Sequence, residues 1–255
     1  MNYTHVTWPL NGFHETSGLD HRTPRRFPLR YLRYWLPRMI LEKAHARLRR
    51  PLSVLEVGIG DGKMVEFLGS DANHRFKLPS WVERWDGVDV QADQSVLGRY
   101  PYSDFIEVDI DRPFSMWRRY DAIIAVHVLE HLLKPEASLV RLTRGLNSGG
   151  ILVGNSPTMP AMLAVLHELW LRWKHRSVLN DVDVHRHVSV ISPRRIRRFA
   201  KLNGLQIELL TGTFFLRCGG LVLEDFEIWV RANLLWGATF PCLGGELCFS
   251  LREPS

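Results

Sequence analysis

A short apolar strand that runs directly into a glycine-rich turn constrains this chain more than any other feature of its sequence. Residues 54–62 read VLEVGIGDG, so Gly58, Gly60 and Gly62 follow the strand at alternate positions. Glycine adopts backbone angles that side chains forbid and lets a ligand approach the main chain closely. Residues 63–68 can open a helix. The segment predicts a strand, a tight turn and a helix. The turn is either a ligand-binding loop or a structural connection that binds no ligand.

Short apolar runs alternate with helical or polar segments through most of the chain. Each run has the length of a β-strand. The runs are 53–57, 85–90, 104–108, 122–126, 151–154, 205–210 and 246–251. Such alternation predicts an α/β fold, a Rossmann-like, doubly wound, mostly parallel seven-stranded sheet with helices on both faces.

Two segments fall outside this alternation. Residues 1–50 form an N-terminal arm, in which 26–50 show helical periodicity. Residues 158–190 contain an apolar helical run, and they read as a helical insertion at the acceptor site. The expected organisation is therefore a basic arm or helical lid over 1–50 and a single α/β domain over 51–255.

Charge and cysteine content narrow the class of protein. The arm holds ten Lys/Arg and three Asp/Glu, while the whole chain has a net charge of +6. A basic arm suits phosphate, an anionic lipid surface or an acidic substrate without choosing among them. The three cysteines form no CxxC pair, which argues against a disulfide framework or a zinc site. A signal peptide and an 18-residue apolar run are both missing from the sequence, so a cytoplasmic location is expected.

Acidic residues stand at the ends of the next two predicted strands. Asp89 ends the second strand in WDGVDV, where a carboxylate can accept hydrogen bonds from two ribose hydroxyls. Asp109 ends the third strand in FIEVDI, where it can accept a hydrogen bond from an adenine amino group while Ile110 packs on the ring. Open α/β sheets bind ligands outside the carboxyl ends of their strands. These residues are therefore expected to share one crevice with the glycine turn.

Two histidines follow the fourth predicted strand. Residues 120–132 read YDAIIAVHVLEHL, which places His127 directly after the strand and His131 one helical turn later. Both are candidate general bases in the same crevice. Each also has another reading, because His131 can form a structural pair with Glu130 and His127 can position a substrate without taking a proton.

The segments VLEVGIGDG, GVDV and HVLEHL resemble those of class I methyltransferases that use S-adenosylmethionine, in the small-molecule branch with a vLEHL signature. The resemblance covers roughly residues 52–215. It implies S-adenosyl-L-methionine as cofactor and S-adenosyl-L-homocysteine as product. The implied site residues are Gly58, Gly60 and Gly62 at the methionine part with Glu56 supporting the loop, Asp89 and Val90 at the ribose, Asp109 and Ile110 at the adenine, and His127 beside the sulfonium.

The same resemblance bears on metal binding. Some quinone-pathway relatives bind a divalent ion through acidic residues around this signature, whereas this chain carries His127 where they have an acidic residue. No metal is therefore predicted. A nicotinamide enzyme is disfavoured because the glycines are spaced GxGxG and not GxGxxG.

The methyl acceptor stays open at this level. The leading hypothesis is a small-molecule acceptor, for example a lipid-linked or glycan-like hydroxyl. Segments 26–50 and 159–176 place aromatic residues next to cations, which suits either peripheral membrane contact or a lid that packs on the sheet. The alternatives are an RNA methyltransferase guided by the basic arm, disfavoured because no RNA-binding module accompanies it, and a non-catalytic cofactor-binding subunit of a methyltransferase complex. The oligomeric state is not predicted.

Overall fold

The structure is a computed structural model that describes residues 3–10, 28–68, 76–91, 93–174, 186–215 and 226–254. Several sequence-based expectations fall outside these residues. They are most of the irregular lead-in, Arg25 and Arg26 of the basic arm, and residues 175–185 of the predicted insertion.

Seven strands form one sheet. They are β1 (Leu52–Val57), β2 (Val82–Asp89), β3 (Asp104–Glu107), β4 (Tyr120–Val126), β5 (Leu146–Pro157), β6 (Gln206–Gly212) and β7 (Glu246–Arg252). Their order is β3-β2-β1-β4-β5-β7-β6. Strands β1 to β5 pair in parallel, and β7 is antiparallel to both β5 and β6. The predicted mostly parallel, seven-stranded sheet is thereby confirmed.

Helices cover both faces of this sheet. They are α1 (Leu32–Leu48), α2 (Lys63–Glu66), α3 (Gln94–Arg99), α4 (Pro135–Thr143), α5 (Ala161–Lys174), α6 (Pro193–Leu202) and α7 (Glu227–Thr239). Two of them begin with a side-chain cap, because Asp93 accepts a hydrogen bond from the Ser95 amide and Ser192 from the Arg195 amide. Helix α7 was not predicted from the sequence.

Successive residues along the strands pack alternately into two separate hydrophobic layers, one on each face of the sheet. Val54 and Ile124 belong to the layer that also contains residues of α1 and α7. Leu55 and Ile123 belong to the layer that contains residues of α4 and α6. All four side chains are fully buried, as expected for a parallel sheet covered on both sides.

Helix α1 packs on the first of these layers. Leu32, Trp35, Leu36 and Leu41 are at most 2% exposed. Pro37 lies inside the helix and does not end it. The apolar stripe that the sequence shows in 26–50 is therefore core over the described part of this segment.

Four arginines of the arm are bound within the chain. Their partners are Glu246 for Arg33, the Phe67 carbonyl for Arg38, Glu208 for Arg47 and Asp121 for Arg50. Part of the positive charge of the arm thus compensates acidic groups of the sheet. These arginines are less available to an external phosphate than the sequence alone suggests.

Candidate functional site

The glycine turn after β1 has the backbone geometry that requires glycine. Gly58, Gly60 and Gly62 have φ angles of +71°, +49° and +75°. A Cβ on Gly58 would lie 2.4 Å from a methyl of Val128, so this turn meets the segment that follows β4. A Cβ on Gly60 would meet nothing within 4 Å. The turn is therefore packed at its start and open above Gly60, as a cradle for a ligand would be.

Glu56 supports this turn from inside the protein. Its carboxylate accepts hydrogen bonds from the Trp85 indole at 2.8 Å and from the Tyr102 hydroxyl at 3.0 Å. Burial raises the pKa of Glu56 to about 8. Tyr102 reaches it because Gly87 has no side chain; a Cβ there would lie 3.1 Å from the Tyr102 ring. The sequence did not indicate Trp85 or Tyr102, although the glycine of GVDV marks the close approach.

Asp89 lies across the turn from Gly60. Its Oδ2 accepts a hydrogen bond from the Gly60 amide at 3.2 Å, and its Oδ1 accepts one from the Val90 amide at 2.7 Å. A carboxylate has about four acceptor positions, so about two remain for the hydroxyls of a ligand. The structure thus brings Asp89 and Val90 to the glycine turn, as the sequence predicts.

Asp109 and Ile110 follow β3 at the same edge of the sheet. Asp109 accepts a hydrogen bond from the Asp111 amide at 3.0 Å and forms an ion pair with Arg112 at 3.0 Å. Ile110 is 5% exposed and packs in the second hydrophobic layer. Asp109 keeps exposed surface that a ligand could contact, whereas Ile110 offers little. The assignment of both residues to an adenine ring stays a prediction.

His127 stands between two carboxylates directly after β4. Its Nδ1 lies 2.9 Å from Glu130 Oε1, and its Nε2 lies 3.3 Å from Glu246 Oε1. Burial alone would lower the pKa of His127, but these two carboxylates outweigh it and raise the pKa above its ordinary value. The residue also has a φ of +56°, an angle that costs a side-chain-bearing residue roughly 1–2 kcal/mol. Such strain is often retained at functional sites.

Glu246 and Arg33 complete this cluster, although the sequence did not indicate either as a site residue. Glu246 begins β7, is 4% exposed and pairs with Arg33 of α1. Asn155 on β5 is fully buried, and neither polar atom of its side chain has a hydrogen-bond partner among the described residues. A charged residue at the start of an otherwise apolar strand was the one available signal for Glu246. Nothing local in the sequence marks Arg33.

His131 follows Glu130 in the chain and contacts residues 186 and 187. Its Nδ1 is 2.9 Å from the Arg186 carbonyl, and its ring meets that of His187 edge to face at 5.0 Å. Glu130, His131 and His187 each offer one ligand atom within 4.8 Å of the others, a geometry compatible with a metal ion. The expectation of no metal stays a prediction. The contacts of His131 fit a structural or ligating role better than that of a free base.

A family model matches most of the chain. Residues 25–210 match the methyltransferase domain family. No curated protein sequence matches the chain.

Solved structures share the fold at low sequence identity. One match is a chain from the complex of the Haloferax volcanii Trm112 methyltransferase activator with a protein described as a methyltransferase. It is 15% identical to this chain, with a TM-score of 0.54 over 84% of this chain and 88% of the matched chain. The CurJ carbon methyltransferase is 16% identical, with a TM-score of 0.55 over 100% of this chain and 62% of that one. A Galdieria sulphuraria protein described as a sarcosine dimethylglycine methyltransferase is 12% identical, with a TM-score of 0.51 over 85% of this chain and 86% of that one. At such identities the likeness concerns the fold alone.

Proposed function

The chain belongs to the methyltransferase domain family, and we propose that its acceptor is a small molecule that carries a hydroxyl group. It is a class I, S-adenosylmethionine-dependent methyltransferase, so its methyl donor is S-adenosyl-L-methionine and its product is S-adenosyl-L-homocysteine. When bound, this cofactor supplies a methyl group activated by a sulfonium.

The residues at the glycine turn fit such a cofactor. The open space above Gly60 leaves room for a ligand against the main chain. Asp89 turns its carboxylate to the same space and keeps acceptor positions for hydroxyls. Glu56 is buried beneath the turn and accepts hydrogen bonds from Trp85 and Tyr102. Its role is therefore to hold the turn in place and not to contact the cofactor.

The observation that carries the proposal is the position of His127 between Glu130 and Glu246. Methyl transfer to a neutral amine needs no proton removal before attack, whereas a hydroxyl becomes a good nucleophile only as its proton leaves. Two carboxylates make His127 a stronger base and stabilise it once it has taken the proton. This arrangement suits a hydroxyl acceptor, with His127 as the base: Glu130 holds Nδ1, and the acceptor hydroxyl takes the place of the Glu246 carboxylate at Nε2, where it gives up its proton. Glu246 and Arg33 are positioning residues.

An acceptor screen tests this proposal directly. Purified protein is incubated with ¹³C-methyl S-adenosylmethionine and, separately, with a lipid extract, a water-soluble metabolite extract and total RNA. We expect label in one of the first two, and a methoxy carbon in the NMR spectrum of the isolated product. Label confined to RNA, or an N-methyl carbon, would contradict the proposal.

The RNA alternative loses part of its support. Arg33 pairs with Glu246 inside the candidate site and so does not offer a free guanidinium to a phosphate. The Haloferax complex pairs a protein described as a methyltransferase with an activator, so it is a precedent for a catalytic chain with a partner and gives no support to the non-catalytic subunit alternative. Turnover by the purified chain alone in the acceptor screen would exclude it.

Replacing His127 by glutamine is expected to lower kcat by about 10²–10⁴-fold, the usual contribution of a positioned base. Binding of S-adenosylhomocysteine should change little, because the side chain of His127 contacts carboxylates and not the glycine turn. Single-turnover methyl transfer measures the first effect and calorimetry the second. The matched control is His45→Gln in α1, where the imidazole Nδ1 donates a hydrogen bond to the Arg50 carbonyl, away from the site. Equal rates in the two variants would rule out His127 as the base.

The rate should rise with pH through the ionisation of His127, because only the neutral imidazole accepts a proton. Since Glu130 and Glu246 raise its pKa, the apparent pKa of kcat/KM should lie above the ordinary value of about 6.5. Glu246→Gln removes one of these charges, so its profile should shift to lower pH. Measurement of kcat/KM against pH for both proteins checks this. A profile that Glu246→Gln leaves in place would show that another group titrates.

A further inference from the structure

Helix α5 presents an apolar surface to solvent. Seven apolar side chains between Met162 and Trp173 are 47–83% exposed. At about 100° per residue, they fall in a single arc of roughly 160° on the helix. Ala164 and Leu171 lie on the opposite side and are the buried residues of the helix. The apolar face of α5 therefore points outward, which is the reverse of an ordinary surface helix.

Polar contacts and a small buried patch hold α5 in this orientation. Glu168 pairs with Arg172 of the same helix and with Arg195 of α6, and it accepts a hydrogen bond from the Val190 amide at 3.2 Å. Arg172 also donates to the Leu133 carbonyl at 3.1 Å. Since Glu168 is the one acidic residue of α5 and it faces the protein, the outward face of the helix carries no carboxylate.

Aromatic and cationic groups border the apolar arc. Lys174 places its ammonium 5.0 Å from the centre of the Trp170 ring, and the His167 ring stacks on the same indole at a centroid distance of 5.5 Å. The sequence continues with His175 and Arg176, which lie outside the described residues. Tryptophan and lysine at the margin of an apolar helix face are typical of helices that lie in the interface of a bilayer.

Helix α1, by contrast, does not offer such a surface. Its large apolar residues are buried on the sheet, and Arg33, Arg38 and Arg47 are bound within the chain. Of the two segments that the sequence marks for membrane contact, α5 alone exposes a continuous apolar face among the described residues.

We propose that α5 docks this protein on the surface of a membrane that contains anionic lipid. The apolar arc enters the region between headgroups and acyl chains, while Lys174 contacts lipid phosphates. None of the helices in the described part of the chain has the length and apolar character needed to cross a bilayer, so the contact is peripheral.

The position of α5 in the chain gives this docking a consequence for the site. Strand β5 ends at Pro157, next to β4 and His127, and α5 begins shortly afterwards at Ala161. Docking through α5 thus brings the carboxyl edge of the sheet near the bilayer. This inference does not depend on which acceptor is methylated, although a lipid-linked acceptor would fit it.

Vesicle flotation tests the proposal. The full chain is mixed with vesicles of phosphatidylcholine alone or of phosphatidylcholine with phosphatidylglycerol. We expect flotation with the anionic vesicles, less with the neutral ones, and a decrease at high salt. The double variant Leu166→Glu, Trp173→Glu should bind vesicles at least about tenfold more weakly, since it places two charges in the apolar arc. Leu202→Glu, at a residue 73% exposed on α6, is the matched control and should float like the parent.

Two further measurements keep the outcome interpretable. Calorimetric binding of S-adenosylhomocysteine by the double variant shows that it is folded, and this readout is independent of the acceptor. Sedimentation velocity shows whether α5 pairs with a second copy of the chain. A parent that fails to float with anionic vesicles, or that self-associates through α5 and floats no better than the double variant, would overturn the proposal.

Discussion

Replacing Gly60 by asparagine is expected to weaken binding of S-adenosylhomocysteine by about 100-fold or more, which corresponds to about 2.7 kcal/mol. Gly60 has a φ of +49° with open space above it, and asparagine tolerates this backbone region better than most residues. The new side chain therefore occupies the cradle without forcing the protein to rearrange. Calorimetry measures the loss of affinity, and chemical denaturation should show a stability change of no more than about 1 kcal/mol.

Gly149 provides the matched control. It also has a positive φ, +72°, and open space around its missing side chain, but it lies near the start of β5, at the opposite edge of the sheet. Gly149→Asn should have the same free energy of unfolding as Gly60→Asn, but it should bind S-adenosylhomocysteine with the affinity of the parent. Equal affinity of the two variants would show that the space above Gly60 is not the cofactor site.

Replacing Glu56 by glutamine is expected to remove a large pH dependence of stability. Burial raises the pKa of Glu56 from 4.5 to about 8, so the folded state favours the protonated carboxyl. That contribution is complete below pH 4.5 and is lost as the pH rises through 8. At about 1.36 kcal/mol per pH unit, the loss is on the order of 4–5 kcal/mol.

Denaturation of both proteins across this range measures the effect. The glutamine of the Glu56→Gln variant keeps an oxygen that accepts hydrogen bonds from Trp85 and Tyr102 but carries no charge. The two proteins should therefore have similar unfolding free energies at about pH 5, and the variant should be the more stable at about pH 9. Other ionisable groups cancel in the comparison. A difference that stays constant with pH would mean that Glu56 ionises normally.

The architecture was predictable because the signals for it are local. Each of the seven strands contains a short apolar run, and the runs at 54–57 and 122–126 indicate a sheet buried on both faces. The glycine turn and Asp89 stand where strand ends must meet in a parallel sheet. In the structure they lie in contact, because Asp89 Oδ2 accepts a hydrogen bond from the Gly60 amide at 3.2 Å.

The rest of the candidate site depends on contacts between distant parts of the chain. Arg33 and Glu246 are separated by 213 residues, and only the antiparallel insertion of β7 between β5 and β6 brings Glu246 to His127. The two amphipathic segments show the same limit. Periodicity reveals an apolar stripe in both α1 and α5, but it does not say that one faces the sheet and the other faces solvent.

Calorimetric titration with S-adenosylhomocysteine of the parent protein beside an Asp89→Ala variant tests the central claim, that the crevice at the glycine turn binds the methyl donor. We expect binding by the parent at micromolar affinity and loss of at least about 100-fold in the variant, because Asp89 places its carboxylate across the turn from Gly60. Equal affinity of the two proteins would show that Asp89 does not contact the ribose of the cofactor. Failure of the parent to bind would contradict the account of this site.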